Sequence, residues 1–134
     1  RSSAEIIDEQ KKNTSQGNNR AVEAMHRIKQ NAINMKEALL KGDISSFARI
    51  LGQGWEDKKA MASAISNPVI EEAMERAVRA ITGKVSGAGG GGFIIFAVEP
   101  TKRLQVKRAL NQLDGNIVEF QFSEGGTHGW KIFH

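Results

Sequence analysis

The sequence predicts an α+β domain in which helices cover one face of a small, mainly antiparallel sheet. Two observations lead there. From Arg20 to Ile81 the apolar residues recur at the three- and four-residue spacing of core-facing helices, and the strand signals all lie after residue 92. Between the two runs Gly83-Lys84-Val85-Ser86-Gly87-Ala88-Gly89-Gly90-Gly91-Gly92, a loop in which five of the last six residues are glycine. At 134 residues the chain is expected to be one domain, residues 1–134, long enough to bury a core.

Ser2-Ser3-Ala4-Glu5 has capping-box spacing, which predicts a helix from Ser3 to about Lys12 with two lysines at its carboxyl end. Asn13 to Asn19 is polar and reads as a loop. Arg20 to Lys41 is a helix whose buried stripe is Val22, Met25, Ile28, Ala32, Met35 and Leu39, widened by Ile33 and Leu40. Gly42 stops it and Asp43 caps the next helix, which is expected to bury Ile44, Phe47, Ile50, Leu51, Trp55, Ala62 and Ile65. Gly52 and Gly54 within it mark a close helix–helix contact or a kink. Asn67-Pro68 opens a further helix, with Ile70, Met74, Ala77, Val78 and Ile81 buried and Gly83 at its end.

After the glycines, Phe93 to Val98 is apolar at every position and predicts a strand covered on both faces. Thr101 to Leu113 returns as a helix burying Leu104, Val106, Ala109, Leu110 and Leu113, with Lys102, Arg103, Lys107 and Arg108 as a solvated face. Ile117 to Phe122 alternates as a half-buried strand, and Trp130 to Phe133 forms a last short one.

Composition removes several classes of function. There is no cysteine, hence no disulfide or thiolate metal site, which accords with a cytoplasmic protein. No apolar run approaches the roughly 20 residues of a membrane span, so no membrane association is expected. The net charge of +4 favours anionic ligands, yet the basic residues are interspersed with acids and lack an aromatic platform, which argues against nucleic acid. His26, His128 and His134 have no metal-ligand spacing, and no nucleophile, base and orienter occur together. No catalytic residue and no metal site are therefore assigned. Nothing in the sequence bears on oligomeric state.

The glycine loop carries the chemistry. Ordering five or so glycine backbones costs roughly 5 to 10 kcal/mol, comparable to the net stability of a domain. Residues without Cβ let successive N–H groups converge on an anion; a flexible linker or a turn squeezed against a helix is the alternative. Gly87, Gly89 and Gly92 satisfy G-x-G-x-x-G, but a helix precedes the loop and a strand follows it, the reverse of the dinucleotide fingerprint. Gly83-Lys84 is followed by valine, so the loop is not a Walker A loop either.

Lys84 to Phe93 resembles, without a gap, the third motif of the GHMP small-molecule kinases, in the form K-[LV]-S-G-A-G-G-G-G-F of the branch that phosphorylates D-glycero-D-manno-heptose 7-phosphate. Trp55-Glu56-Asp57-Lys58-Lys59 is similar to that branch's W-E-x-K-K, Ile65-Ser66-Asn67-Pro68 to its I-S-N-P helix start, and Arg1-Ser2-Ser3-Ala4-Glu5-Ile6-Ile7 to the segment opening its carboxy-terminal half. One departure is visible: the branch usually has G-A-L-G-G before the lysine, where this chain has Arg79-Ala80-Ile81-Thr82-Gly83.

The resemblance implies a ferredoxin-like GHMP kinase C-terminal domain, the chain being a piece of a longer enzyme whose N-terminal domain binds most of the ATP and Mg2+. It implies a sugar phosphate as substrate and the N-terminal kinase domain as partner. It also implies phosphate or sugar contacts from Lys84, Ser86, Gly87, Ala88, Gly89, Gly90, Gly91 and Gly92, from Arg1, Ser2 and Ser3, and from Lys58 and Lys59. For that lysine pair an ordinary solvated face is the competing reading, as an exposed capped helix is for the opening segment. The fragment alone is expected to be inactive, and Gly90→Val in the full enzyme to reduce turnover far more than folding. A non-catalytic ferredoxin-like module binding a phosphorylated metabolite is the alternative from another class, and other sugar 1-kinases or a mevalonate-type acceptor stay open within the first.

Overall fold

The computed structural model describes residues 3–77, 79–122, 125–127 and 129–130. Helices α1 (Ser3–Ser15), α2 (Asn19–Leu40), α3 (Ile44–Lys59) and α4 (Pro68–Arg76) are followed by strands β1 (Thr82–Val85) and β2 (Ile94–Ala97) and helix α5 (Arg103–Leu110). Single 3-10 turns precede α4, at Ser63–Ile65, and α5, at Pro100–Lys102. The strands pair antiparallel, Thr82 opposite Ala97 and Val85 opposite Ile94, and the glycine turn closes them as a hairpin. The fold is α+β, as the sequence predicts.

Helix starts follow their caps. The side chains of Asn18, Asp43 and Asn67 accept hydrogen bonds from the N–H groups of Ala21, Ser46 and Ile70 at 3.2, 2.9 and 3.0 Å, each satisfying an otherwise orphaned first-turn donor. Helix α1 runs three residues beyond the expected Lys12 because its polar tail finds partners. Thr14 Oγ1 donates to the Gln10 and Lys11 carbonyls, and Asn13 Nδ2 donates to Met61 O across the fold at 2.9 Å.

The buried side of α2 is rotated from the expected stripe. It consists of Ala21, Ala24 and Ala38, while Met25 and Leu39 are 42% and 55% exposed. Small side chains let α2 lie close along α3, and the pair is tied by Arg27 and Asn31 donating to the Asp57 carboxylate. Ile44 and Leu104, expected inside, are also exposed. The core gathers Ile6, Trp55, Ala62, Ala64, Ile65, Ile70 and Val85, with Met61, Met74, Ala88 and Ile94 at its margin. Trp55 is buried as expected.

Helix α4 ends at Arg76, short of Ile81, because Ile81 N–H is drawn to Ala97 O at 2.8 Å and the chain enters the sheet. Gly83, Lys84 and Val85 are thus strand and not loop. A Cβ on Gly83 would lie 2.6 Å from both Met74 Sδ and Phe96 Cε1, so glycine serves close packing there and not a helix stop. Gly52 faces Thr82 in the same way, making a helix–strand contact in place of the expected helix–helix one, while Gly54 faces open space.

Strand β2 is covered on one face only; Phe93 precedes it with 68% exposure and Ile95 is 38% exposed. The expected strand Ile117 to Phe122 is extended but unpaired, with Val118, Phe120 and Phe122 largely exposed. An alternating pattern makes a strand only beside a free edge in register, and this segment stands across a cleft from β2. It is held to α5 by Glu119, which accepts from Arg103 at 3.0 Å and Lys107 at 2.8 Å. With Lys102 paired to Glu99 at 2.8 Å, three of the four basic residues read as a solvated face are engaged. The last expected strand falls mostly outside the described residues; Trp130, within them, is exposed and in no strand.

Candidate functional site

The site is built on the hairpin turn, Ser86 to Phe93. Ser86 N–H donates to Phe93 O at 2.8 Å and closes the mouth of the hairpin. Inside the turn, Gly90 is held on both sides of its backbone: its N–H donates to Ile65 O at 2.8 Å and its C=O accepts from Asn67 Nδ2 at 2.9 Å. Ala88 packs on the core, whereas Gly87, Gly91 and Gly92 are exposed. The N–H groups of Gly87, Ala88, Gly89, Gly91 and Gly92 have no partner among the described residues. A turn of this kind is neither a flexible linker nor a plug under helices; its underside is packed and its upper side offers donors.

Two of these glycines are required by shape as well as conformation. Gly89 (φ +112°) and Gly90 (φ +74°) occupy left-handed backbone, and Cβ atoms there would lie 2.8 Å from Ile65 O and 2.7 Å from Ile6 Cδ1. The expectation that Gly90→Val costs turnover far more than folding is therefore corrected on the folding side: Ile6 is fully buried beneath Gly90 and cannot yield freely, so folding is lost as well. Ile6 also relates the opening segment to the turn. Ser3 stands one helical turn before Ile6 on the same face of α1, and Glu9 ties α1 to the neighbouring 3-10 turn by accepting from Ser63 N–H, Ser63 Oγ and Ala64 N–H. Arg1 and Ser2 lie outside the described residues.

The structure separates Lys58 from Lys59. Lys59 pairs with Glu56 at 2.9 Å and Glu71 at 3.8 Å and stands 5.7 Å from the centre of the Trp55 ring. Its charge is already spent within the fold. Lys58 instead donates to the Gly87 carbonyl, and Lys84 Nζ donates to the Val85 carbonyl at 3.1 Å. Neither has a carboxylate partner among the described residues. Partial burial lowers the pKa of both ammonium groups below the ordinary lysine value of 10.5, and at Lys58 the charge of Lys84 adds to the effect.

Two half-buried cations without a carboxylate partner among the described residues, beside a glycine turn with internally unbonded amides, suit a phosphate group. The sign of the titration follows. Between the depressed folded pKa and 10.5 the unfolded chain binds more protons, so this pair makes the free protein more stable as pH rises through that window. A bound phosphate favours the charged ammonium groups and has the opposite linkage. Its affinity is expected to fall at alkaline pH already below 10.5, with proton uptake on binding, which isothermal titration in buffers of different ionisation enthalpy measures.

On the other side of the turn a cleft of about 1160 Å³ opens between Asn67, Gly90 to Phe93, β2, α5 and residues 113–120. Its walls are chiefly apolar, with Phe93, Ile95, Val106, Leu110 and Phe120 among them. The lysine pair is not part of that lining. No group of three or more His, Asp or Glu side chains that could hold a metal ion occurs among the described residues; the donors here suit an anion and not Mg2+. No helix among the described residues is long and apolar enough to cross a membrane.

Sequence reasoning placed Asn67 only as a helix cap and missed its bond to the turn, although it lies in the quoted I-S-N-P motif. Ile6 and Ile65, which support the turn from below, carried no local signal beyond being apolar.

Residues 35–115 match the family model described as GHMP kinases C terminal, and the chain belongs to that family. Among individual proteins it is 42% identical over 131 residues to a D-glycero-alpha-D-manno-heptose 7-phosphate kinase of Campylobacter jejuni, a match covering 96% of this chain and 38% of that one. It is 30% identical over 105 residues to an L-fucokinase/L-fucose-1-P guanylyltransferase of Bacteroides fragilis, covering 74% of this chain and 11% of that one. The chain thus spans less than two fifths of the length of these relatives.

Proposed function

We propose that residues 1–134 are the C-terminal domain of an ATP-dependent sugar kinase that phosphorylates D-glycero-D-manno-heptose 7-phosphate at its anomeric hydroxyl. The observation that carries this reading is that Lys58 and Lys84, which have no carboxylate partner among the described residues, stand beside a glycine turn with internally unbonded amides, in a chain 42% identical to a heptose 7-phosphate kinase. Phosphoryl transfer asks a protein chiefly to hold two reactants in line and to stabilise developing negative charge, and the turn is equipped for the second task. ATP and Mg2+ are bound mainly by the N-terminal domain, which completes the cleft. The protein acts in the cytoplasm.

The test is turnover by the longer polypeptide that contains this chain, offered ATP with D-glycero-D-manno-heptose 7-phosphate or with L-fucose. The expected result is ADP formation with the heptose phosphate only, and none from the 134-residue chain alone. Turnover of L-fucose in its place would overturn the substrate assignment, and activity of the isolated chain would overturn the division of labour.

A further inference from the structure

We infer that Asn67, beyond capping α4, is a positioning residue that sets the direction of the Gly91 N–H. This rests on the reading of the turn as a phosphate-facing element and assigns the residue that aims it. A trans peptide holds its C=O and the following N–H antiparallel in one plane, and no peptide bond among the described residues is cis. Asn67 Nδ2 takes the Gly90 carbonyl at 2.9 Å, so the Gly91 N–H of the same plane faces away from the α4 cap. Gly91 N–H is one of the partnerless donors, and Gly91 is exposed.

The two ends of the Asn67 amide do separate work. Oδ1 accepts from Ile70 N–H at 3.0 Å and caps the helix, while Nδ2 holds the turn. Without Nδ2, little would oppose rotation of the Gly90–Gly91 plane, because both residues are glycines with wide backbone freedom. The Gly87–Ala88 plane, three peptides earlier, is built likewise: Lys58 takes the Gly87 carbonyl and turns the Ala88 N–H to the opposite side. A side chain that caps without donating is therefore expected to keep α4 and lose the aim of the turn.

Aspartate is such a side chain, and serine caps about as well as asparagine while its shorter hydroxyl does not span from the cap to the Gly90 carbonyl. The experiment uses the 15N-labelled 134-residue chain and its Asn67→Ser and Asn67→Asp variants, with inorganic phosphate as probe. Hydrogen-exchange protection of the Ile70 amide reads the cap, and the residual dipolar coupling of the Gly91 N–H reads the orientation of the plane. The expected result is preserved Ile70 protection in both variants, a changed Gly91 coupling in both, and phosphate affinity about tenfold weaker in Asn67→Ser, a loss of about 1.4 kcal/mol. An unchanged Gly91 coupling in Asn67→Ser, with the cap intact, would overturn the inference. If Asn67→Ser loses the cap, Asn67→Asp decides on the same coupling, its carboxylate repelling the Gly90 carbonyl it replaces a donor to. A changed coupling with no phosphate binding by the unsubstituted chain supports the positioning role and counts against the phosphate reading instead.

Discussion

Gly90→Val is expected to destabilise the chain by about 2 to 6 kcal/mol, enough to leave much of it unfolded. Holding a β-branched residue in left-handed backbone costs about 1 to 3 kcal/mol, and forcing extra methyls against a packed core costs about another 1 to 3. Both apply at φ +74° with Ile6 Cδ1 only 2.7 Å from the new Cβ. Urea unfolding followed by fluorescence of the buried Trp55 measures the loss. In an Ile6→Ala background the valine should cost less, because truncation opens space directly beneath it. That coupling should fall within the roughly 0.5 to 3 kcal/mol usual for touching residues. Strictly additive losses would mean that Ile6 does not support the turn.

Lys58→Met and Lys59→Met should part company in ligand binding although they are neighbours in sequence. Removing Lys58 takes away one of two uncompensated charges and frees the Gly87 carbonyl, so phosphate or sugar-phosphate affinity is expected to fall about tenfold to a hundredfold, the worth of one charge-assisted hydrogen bond. Removing Lys59 breaks surface pairs with Glu56 and Glu71, each worth at most about 1 kcal/mol, and should leave affinity within about twofold. The free protein should tolerate Lys58→Met without loss of stability, since methionine replaces a half-buried ammonium that has no counter-charge. Equal effects of the two substitutions on affinity would show that the charge read by the ligand is diffuse and not placed.

Most element starts were legible because caps act within three or four residues. Asn18 was read as loop, but Asp43 and Asn67 began the helices their side chains now cap, and the pairing of Asn67 with Pro68 marked α4 without ambiguity. Ends were less legible. Helix α4 stops at Arg76 because β1 must reach Ala97, a partner twenty-one residues further on, and no local residue announces that. Periodicity points to the wrong face of α2 for a related reason: large apolar side chains dominate the pattern, yet the close approach of α3 selects alanines. The glycine turn was recognised from its composition and its resemblance to a kinase motif, but the same run concealed that Gly83 to Val85 belongs to the sheet.

By itself the sequence determined that helices precede a glycine loop leading into a strand, that the loop is kept free of side chains, and that the family is the GHMP kinases. The first two follow from short-range chemistry, namely caps, apolar spacing and the backbone freedom of consecutive glycines, whereas the family rests on the resemblance of Lys84 to Phe93 to a kinase motif. Only the tertiary structure decided which of two adjacent lysines faces the turn and which peptide groups stay open to a ligand. Those outcomes depend on where Ile6, Trp55, and the Ile65-to-Asn67 segment meet from three separate stretches of chain, and long-range packing of that kind leaves no mark on local order.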